Sequence, residues 1–162
     1  MQIILVLETR SSAKTDFIYI KSAFDYFYGT RVAQISKVFA KSKSELIKQD
    51  KNILEKKNKY NGESIVVVVA DFDRENDPLN AQIAQYCSSN GYKLIWMNLC
   101  VEEVFLGKII PDKLKSKTAT DYLKKKQTNL SSNEHLNSVE PLNKHPNSNF
   151  LNVFDEFFKR IT

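Results

Sequence analysis

Cysteine and histidine are scarce in this chain, and each scarcity closes off a kind of chemistry. Cys87 and Cys100 are its two cysteines among 162 residues. They make no disulfide framework, and without a C-x-x-C pair they spell no zinc motif, so half-buried thiols in a reducing cytosol are expected. The two histidines, His135 and His145, both fall in a polar stretch near the C-terminus and read as solvated side chains. No G-x-x-x-x-G-K-[ST] loop occurs, so any ATPase acting with this chain is expected on a separate polypeptide. There is no internal repeat. The opening MQIILVLETR has no basic leader, and its apolar run is too short for a signal peptide or a membrane span. The expectation is a soluble cytoplasmic protein that does not engage a membrane.

What is present suits a globular domain. The hydrophobic fraction is 42% and the aromatic fraction 11%, and the length suffices for one domain with a proper core. A net charge of +5 is compatible with a polyanionic partner but does not point to one by itself.

Ile3 to Leu7 and Ile65 to Ala70 are unbroken apolar runs, and Lys93 to Met97 is a shorter one. Unbroken runs, unlike alternating ones, are expected of strands covered by helices on both faces. A further strand is read over Arg31 to Phe39. Between these runs lie helical patterns. Phe17, Ile20, Phe24 and Phe27 share one helical stripe that Gly29 is placed to stop. Ser42 and Glu45 resemble a capping box ahead of Leu46, Ile47, Ile53 and Leu54. Pro78 suits the first turn of a helix carrying Ile83, Ala84 and Cys87 and ending near Asn90-Gly91. The alternation β-α-β-α-β-α-β, then helices, predicts an α/β domain with a parallel sheet of about four strands flanked by helices. Gln127 to Asn149, rich in Asn, Ser and Pro, reads as a polar loop. Phe150, Val153, Phe154, Phe157 and Phe158 then resume helical spacing in a C-terminal helix expected to pack back on the domain.

The stretch SIVVVVADFDREND (64–77) raises the functional question, because Asp71, Asp73, Glu75 and Asp77 crowd behind a wall of valines. In an open parallel sheet, ligands gather outside the carboxyl ends of the strands. Glu8 closes the first strand there, and Asp71 and Asp73 close the valine strand. Clustered carboxylates raise one another's pKa unless a cation sits among them, and an all-oxygen donor set favours a hard ion such as magnesium or manganese. For Asp77 and Glu75 the alternative is the cap of the following helix, next to Pro78. That alternative explains Asp71 and Asp73 less well and leaves Glu8 unexplained.

A glutamate closing the first strand, with D-x-D closing a later one, resembles the signature of the TOPRIM domain. DFDRE is similar to the topoisomerase form of that motif. ETRSSAKTDFIYIKSAF resembles the pattern of RloB-like TOPRIM proteins of bacterial restriction and abortive-infection loci, with Thr15-Asp16 in place of Thr-Glu. MNLCVEEVFLG is similar to that family's Asn-Pro-x-x-Glu segment through Asn98 and Glu102, with Leu99 replacing the proline, and HPNSNFLNVFDEFF resembles its last turn and helix. Thr9 departs from the glycine usual after the glutamate.

The resemblance implies a TOPRIM (Rossmann-like) domain over 1–126, a polar loop over 127–149 and a packed helix over 150–162. It implies Asp71 and Asp73 as ligands of Mg2+ or Mn2+, and Glu8 as a further ligand or general base or acid. Phosphodiester hydrolysis in DNA or RNA is the implied chemistry, in an anti-phage toxin or effector working beside a separate ABC- or AAA-type ATPase. Whether copies of the chain associate into a homo-oligomer is left open. Glu102 either joins the metal cluster or is a first-turn helix acid, and Asn98 is either a turn residue or one that positions a ligand. Arg10, Lys14 and Arg74 flank the acids and suit the substrate backbone, or are exposed solubilising side chains. Lys113, Lys115, Lys117 and Lys124 to Lys126 suit sequence-independent backbone binding, or form a solvated helix face. FDYFYG reads as core. Two competing readings are a TOPRIM-derived binding module without hydrolysis and a phospho-accepting receiver domain, which also places acids at strand ends.

Overall fold

The computed structural model describes residues 1–8, 15–72, 76–124, 134–137 and 146–162. Four parallel strands form the sheet: β1 (Gln2–Glu8), β2 (Gln34–Ala40), β3 (Ser64–Phe72) and β4 (Lys93–Asn98). They lie in the order β2-β1-β3-β4, and a two-residue β5 (Asn147–Ser148) pairs antiparallel with β4. The helices are α1 (Thr15–Tyr28), α2 (Asp50–Asn58), α3 (Asp77–Asn90), α4 (Val101–Leu106), α5 (Asp112–Lys124) and α6 (Phe150–Asp155). The expected α/β class, with a parallel sheet between helices, is what the chain adopts. No helix among the described residues is long and apolar enough to cross a membrane.

The central strands are apolar on both sides because both sides are covered. Ile3, Leu5, Leu7, Val67, Val69, Ile95 and Met97 join one buried cluster with α1, α4, α5 and α6. Ile4, Val6, Val66, Val68 and Ala70 join a second with Leu46, Ile53, Ile83 and Cys87. Successive strand residues serve opposite layers, so neither face can take polar side chains until the strand ends. The α1 layer is aromatic. Phe24 meets Phe154 edge-on with ring centroids 5.0 Å apart, and Phe154 meets Phe150 at 4.9 Å. Phe24, Phe27 and Tyr28 of the FDYFYG run are core residues, as expected. At the end of α1, Gly29 has φ 95° and its N–H donates to the Asp25 carbonyl at 3.0 Å, a left-handed stop that glycine takes without strain.

Four expectations need correction. The sheet gains β5 beyond the four strands read from the sequence. The segment opened by Ser42 and Glu45 is two elements, a 3-10 helix over Lys43–Lys48 and then α2. Ser42 makes no side-chain cap, while Glu45 accepts from the Lys41 N–H at 3.2 Å. The Gln49 side chain caps the Glu45 carbonyl at 2.9 Å and divides the two elements, and Leu54 on α2 is exposed rather than core. Within the expected 127–149 loop, residues 134–137 form a 3-10 turn whose Leu136 is buried, and 147–148 form β5. The last helix stops at Asp155, short of Phe158, although Phe158 still packs against the core. Asn149 ties this end of the chain to the sheet: its side-chain oxygen accepts from the Trp96 N–H at 2.8 Å, and its amide donates to the Leu94 carbonyl at 2.9 Å.

Candidate functional site

Strand order turns back on itself between β1 and β3, the point of an open parallel sheet where ligands collect beyond the carboxyl ends. A cleft of about 890 Å³ opens there. Glu8 reaches it from the end of β1, Asp71 from the end of β3, Asp16 from the first turn of α1 and Glu102 from the first turn of α4. By alternation Glu8 continues the row of Ile4 and Val6, and Asp71 the row of Val67 and Val69. They belong to opposite layers of the molecule and meet only over the strand tips. The residues supplying the acids are those where each strand's core-facing row runs out.

Crowding shows in the acids' protonation. Burial pushes the Asp71 carboxyl up to about 8, and the charges of Asp16, Glu8 and Glu102 add to the shift while Lys43 opposes it. Burial likewise lifts Asp16 to about 7, with Glu102 and Glu8 contributing; the Thr15 hydroxyl, donating at 3.2 Å, and the charge of Lys115 pull the other way. Unlike charges lower such values, and those of Lys43 and Lys115 do not offset the burial and the neighbouring acids. Glu102 is only 2% exposed, and Lys115 Nζ lies 3.7 Å from its carboxylate and 3.3 Å from that of Asp112. Burial lowers the Lys115 ammonium, but the charge of Glu102 and the hydrogen bond to Asp112 outweigh it and raise it overall. On the other side of the sheet Lys43 donates to the Asn80 side-chain oxygen at 2.6 Å.

Cys100 lines the same cleft. Burial and the neighbouring Glu102 push its thiol up to about 12, so it stays protonated and is a poor nucleophile or ligand. The donor set is therefore one of carboxylate oxygens, which suits a hard divalent cation and not zinc. Among the described residues, no three His, Cys, Asp or Glu side chains stand at metal-holding spacing. Cys87 is buried in the α3 layer, and neither cysteine is in a disulfide.

The structure brings together three acids proposed from sequence, Glu8, Asp71 and Glu102. Asp73 and Arg74 lie outside the described residues, as do Arg10, Lys14, Glu75 and His145. His135 is exposed, and Asp77 is a first-turn acid of α3 beside Pro78, where a carboxylate suits the helix dipole, while the cap position is Asn76 and makes no side-chain cap. Asn98 is fully buried at the end of β4. After it, Leu99 holds φ 76°, a left-handed turn that costs a branched residue about 1–2 kcal/mol. Proline, fixed near φ −65°, cannot make that turn, so the chain departs in conformation from the Asn-Pro segment it resembles.

Sequence reasoning missed three members of the site. In the sequence Asp16 stands only in the place of a Thr-Glu pair's acid, though an acid opening the helix after β1 is a legible signal. Lys115 is one of a run of lysines on α5, and its half-burial beside Glu102 and Asp112 separates it from exposed Lys113 and Lys117. Lys43 carried no signal at all. The chain matches no family model, no curated protein and no solved structure.

Proposed function

We propose that this protein is a divalent-metal-dependent nuclease of the RloB-like TOPRIM kind, hydrolysing phosphodiester bonds in nucleic acid. The observation that carries the reading is the convergence of Glu8, Asp16, Asp71 and Glu102 from four elements on one cleft, where burial, with the neighbouring acids adding to it, raises the carboxyls of Asp16 and Asp71. Such a cluster is unfavourable in the bare protein and becomes favourable once a cation shares it. Glu8, Asp71 and Glu102, with Asp73, are the proposed ligands, although the three described ones do not stand at metal-holding spacing before an ion draws them in. Mg2+ or Mn2+, if bound there, would supply charge neutralisation at the scissile phosphate and would acidify a water, so that no histidine base is needed. Asp16, poised near neutrality, suits the transfer of a proton to or from the reacting oxygens. Work as an anti-phage effector beside a separate ATPase belongs to the same proposal and rests on the resemblance alone.

The test compares wild type with Asp71→Ala and Glu8→Ala on tRNA, single-stranded DNA and duplex DNA, with magnesium, with manganese and with EDTA. Metal-dependent cleavage by wild type, lost in both variants, is expected. Equal degradation by all three proteins would trace the activity to a contaminant and defeat the reading.

A second reading is a binding module of the same ancestry without hydrolysis. It is favoured by the lack, among the described residues, of any three side chains at metal-holding spacing. It predicts nucleic-acid or protein binding with no cleavage under any metal. The receiver reading loses ground, because the last strand is a short antiparallel Asn147–Ser148 pair with no lysine.

A further inference from the structure

The charge of the molecule is gathered in one part of it. Residues 31–60, spanning β2, the 3-10 helix and α2, hold nine of the 24 basic residues but three of the 19 acids. Their net charge is +6 in a chain whose total is +5, so the rest of the molecule is close to neutral. The lysines of α5 are offset in part by Asp112 and Asp121 on the same helix. Val38, Ala40, Leu46 and Ile53 bury the inner side of the segment in one cluster, and Lys41, Lys48 and Lys51 stay exposed. None of these three lysines has a carboxylate at ion-pair distance among the described residues. A one-signed surface of this kind repels itself in the bare protein and gathers a polyanion around it. It is also continuous with the cleft, because Ser42, Lys43 and Ser44 line that cleft between Lys41 and Lys48 in the chain. A membrane surface fits poorly. The helix α2 has nine residues, and Leu54 is its one exposed large apolar side chain, too little to insert among lipids.

We propose that this basic face, carrying Lys41, Lys48 and Lys51, binds the phosphate backbone of nucleic acid on the β2 side of the cleft. The contacts are with phosphates and carry no sequence preference. The substrate class that follows is a polynucleotide running beyond the reacting phosphodiester, and not a mono- or dinucleotide. The lysines of α5 have no part in this face. The proposal rests on the cleft being a nucleic-acid site, as in the nuclease reading, but not on hydrolysis.

The test is binding of a fluorescein-labelled single-stranded oligonucleotide, by anisotropy, over a series of salt concentrations in EDTA. The triple variant Lys41→Gln, Lys48→Gln, Lys51→Gln is expected to weaken binding about tenfold at low salt and to reduce the log–log salt slope by about 2, for three phosphate contacts. Arginine at the same three positions keeps the charge and is expected to retain affinity and slope. The variant Lys113→Gln, Lys117→Gln, Lys124→Gln removes as much charge from α5 and is expected to change the slope by less than half as much. All six side chains are exposed, so urea unfolding of both Gln variants should match wild type. Equal losses from the two triples would trace binding to net charge and not to a face, and overturn the proposal. Unchanged affinity and slope in the first triple, or no binding by wild type at any salt, overturns it too. Binding to anionic phospholipid vesicles in preference to the oligonucleotide would assign the face to a membrane and likewise overturn it. Lysine-dependent binding with no cleavage under any metal defeats hydrolysis alone. Metal-dependent cleavage, with binding indifferent to the three lysines, defeats this inference alone.

Discussion

Two regions of the molecule set acids among close polar neighbours, and they treat them in opposite ways. Near the C-terminus, Asp155 at the end of α6 accepts from the Tyr28 hydroxyl at 2.9 Å and from Arg160 Nε at 2.8 Å, and Arg160 closes a second bond to its other oxygen. The Arg160 hydrogen bonds hold that carboxyl below its ordinary range, with help from Tyr28, while burial works the other way. In the cleft, burial pushes Asp16 and Asp71 up, and the neighbouring acids add to the shift. One acid is satisfied by the chain itself. The others have weaker partners of the chain's own, the Thr15 hydroxyl and the charges of Lys115 and Lys43, that do not offset their burial, and that difference separates a structural anchor from a candidate site.

The contrast breaks most sharply if the anchored region proves dispensable. Phe154 is 1% exposed and meets Phe24, Tyr28, Phe150 and Phe158, so Phe154→Ala should cost about 3–5 kcal/mol in urea unfolding. A loss below about 1 kcal/mol would mean that α6 does not share the core.

A smaller effect, of opposite sign, is expected in the cleft. Asp71 titrates near 8 in the folded state, against about 3.9 in an unfolded chain. Between those values the folded protein holds more protons, so in EDTA the wild type should lose stability as pH rises from about 4 to 8. Asp71→Asn cannot ionise. It should match wild type near pH 4 and exceed it by about 1–3 kcal/mol near pH 9. Magnesium or manganese should then stabilise wild type at high pH and leave the variant unmoved. Parallel pH curves for the two proteins would show that Asp71 is not strained by its neighbours.

The smallest effect sharpens the comparison by its direction. Asp155→Asn should cost about 1 kcal/mol at neutral pH, modest because the carboxylate is 37% exposed. A lowered folded pKa contributes stability above the unfolded value and loses it as pH falls through the folded one. The gap between wild type and variant should therefore close in acid, whereas the Asp71 gap opens in base. Chemical denaturation at three pH values distinguishes the two slopes.

Much of the frame was legible in the sequence because the frame is written in local chemistry. The runs Ile3–Leu7 and Ile65–Ala70 announce strands covered on both faces, and the Phe17, Ile20, Phe24, Phe27 stripe announces a helix whose stop is Gly29. That Glu8 and Asp71 meet at the carboxyl edge was legible because charge abruptly following a buried run marks the open edge of such a sheet. The 3-10 break at Gln49 was not legible, since it depends on one side chain capping a carbonyl four residues back. Nor was β5, two polar residues whose pairing is visible only from β4.

By itself, then, the chain's order of residues determined the class of fold, the two-sided burial of β1 and β3, and the place where acids emerge from them. Hydrophobic burial and helix stops act over a few residues, so a linear reading captures them. Which acids share a cleft, which of many lysines face it, and which side chains hold those lysines were decided only in three dimensions. Those relations join α1, α4, α5 and the segment after β2, elements far apart along the chain, and Coulomb forces depend on distance in space and not on spacing in sequence.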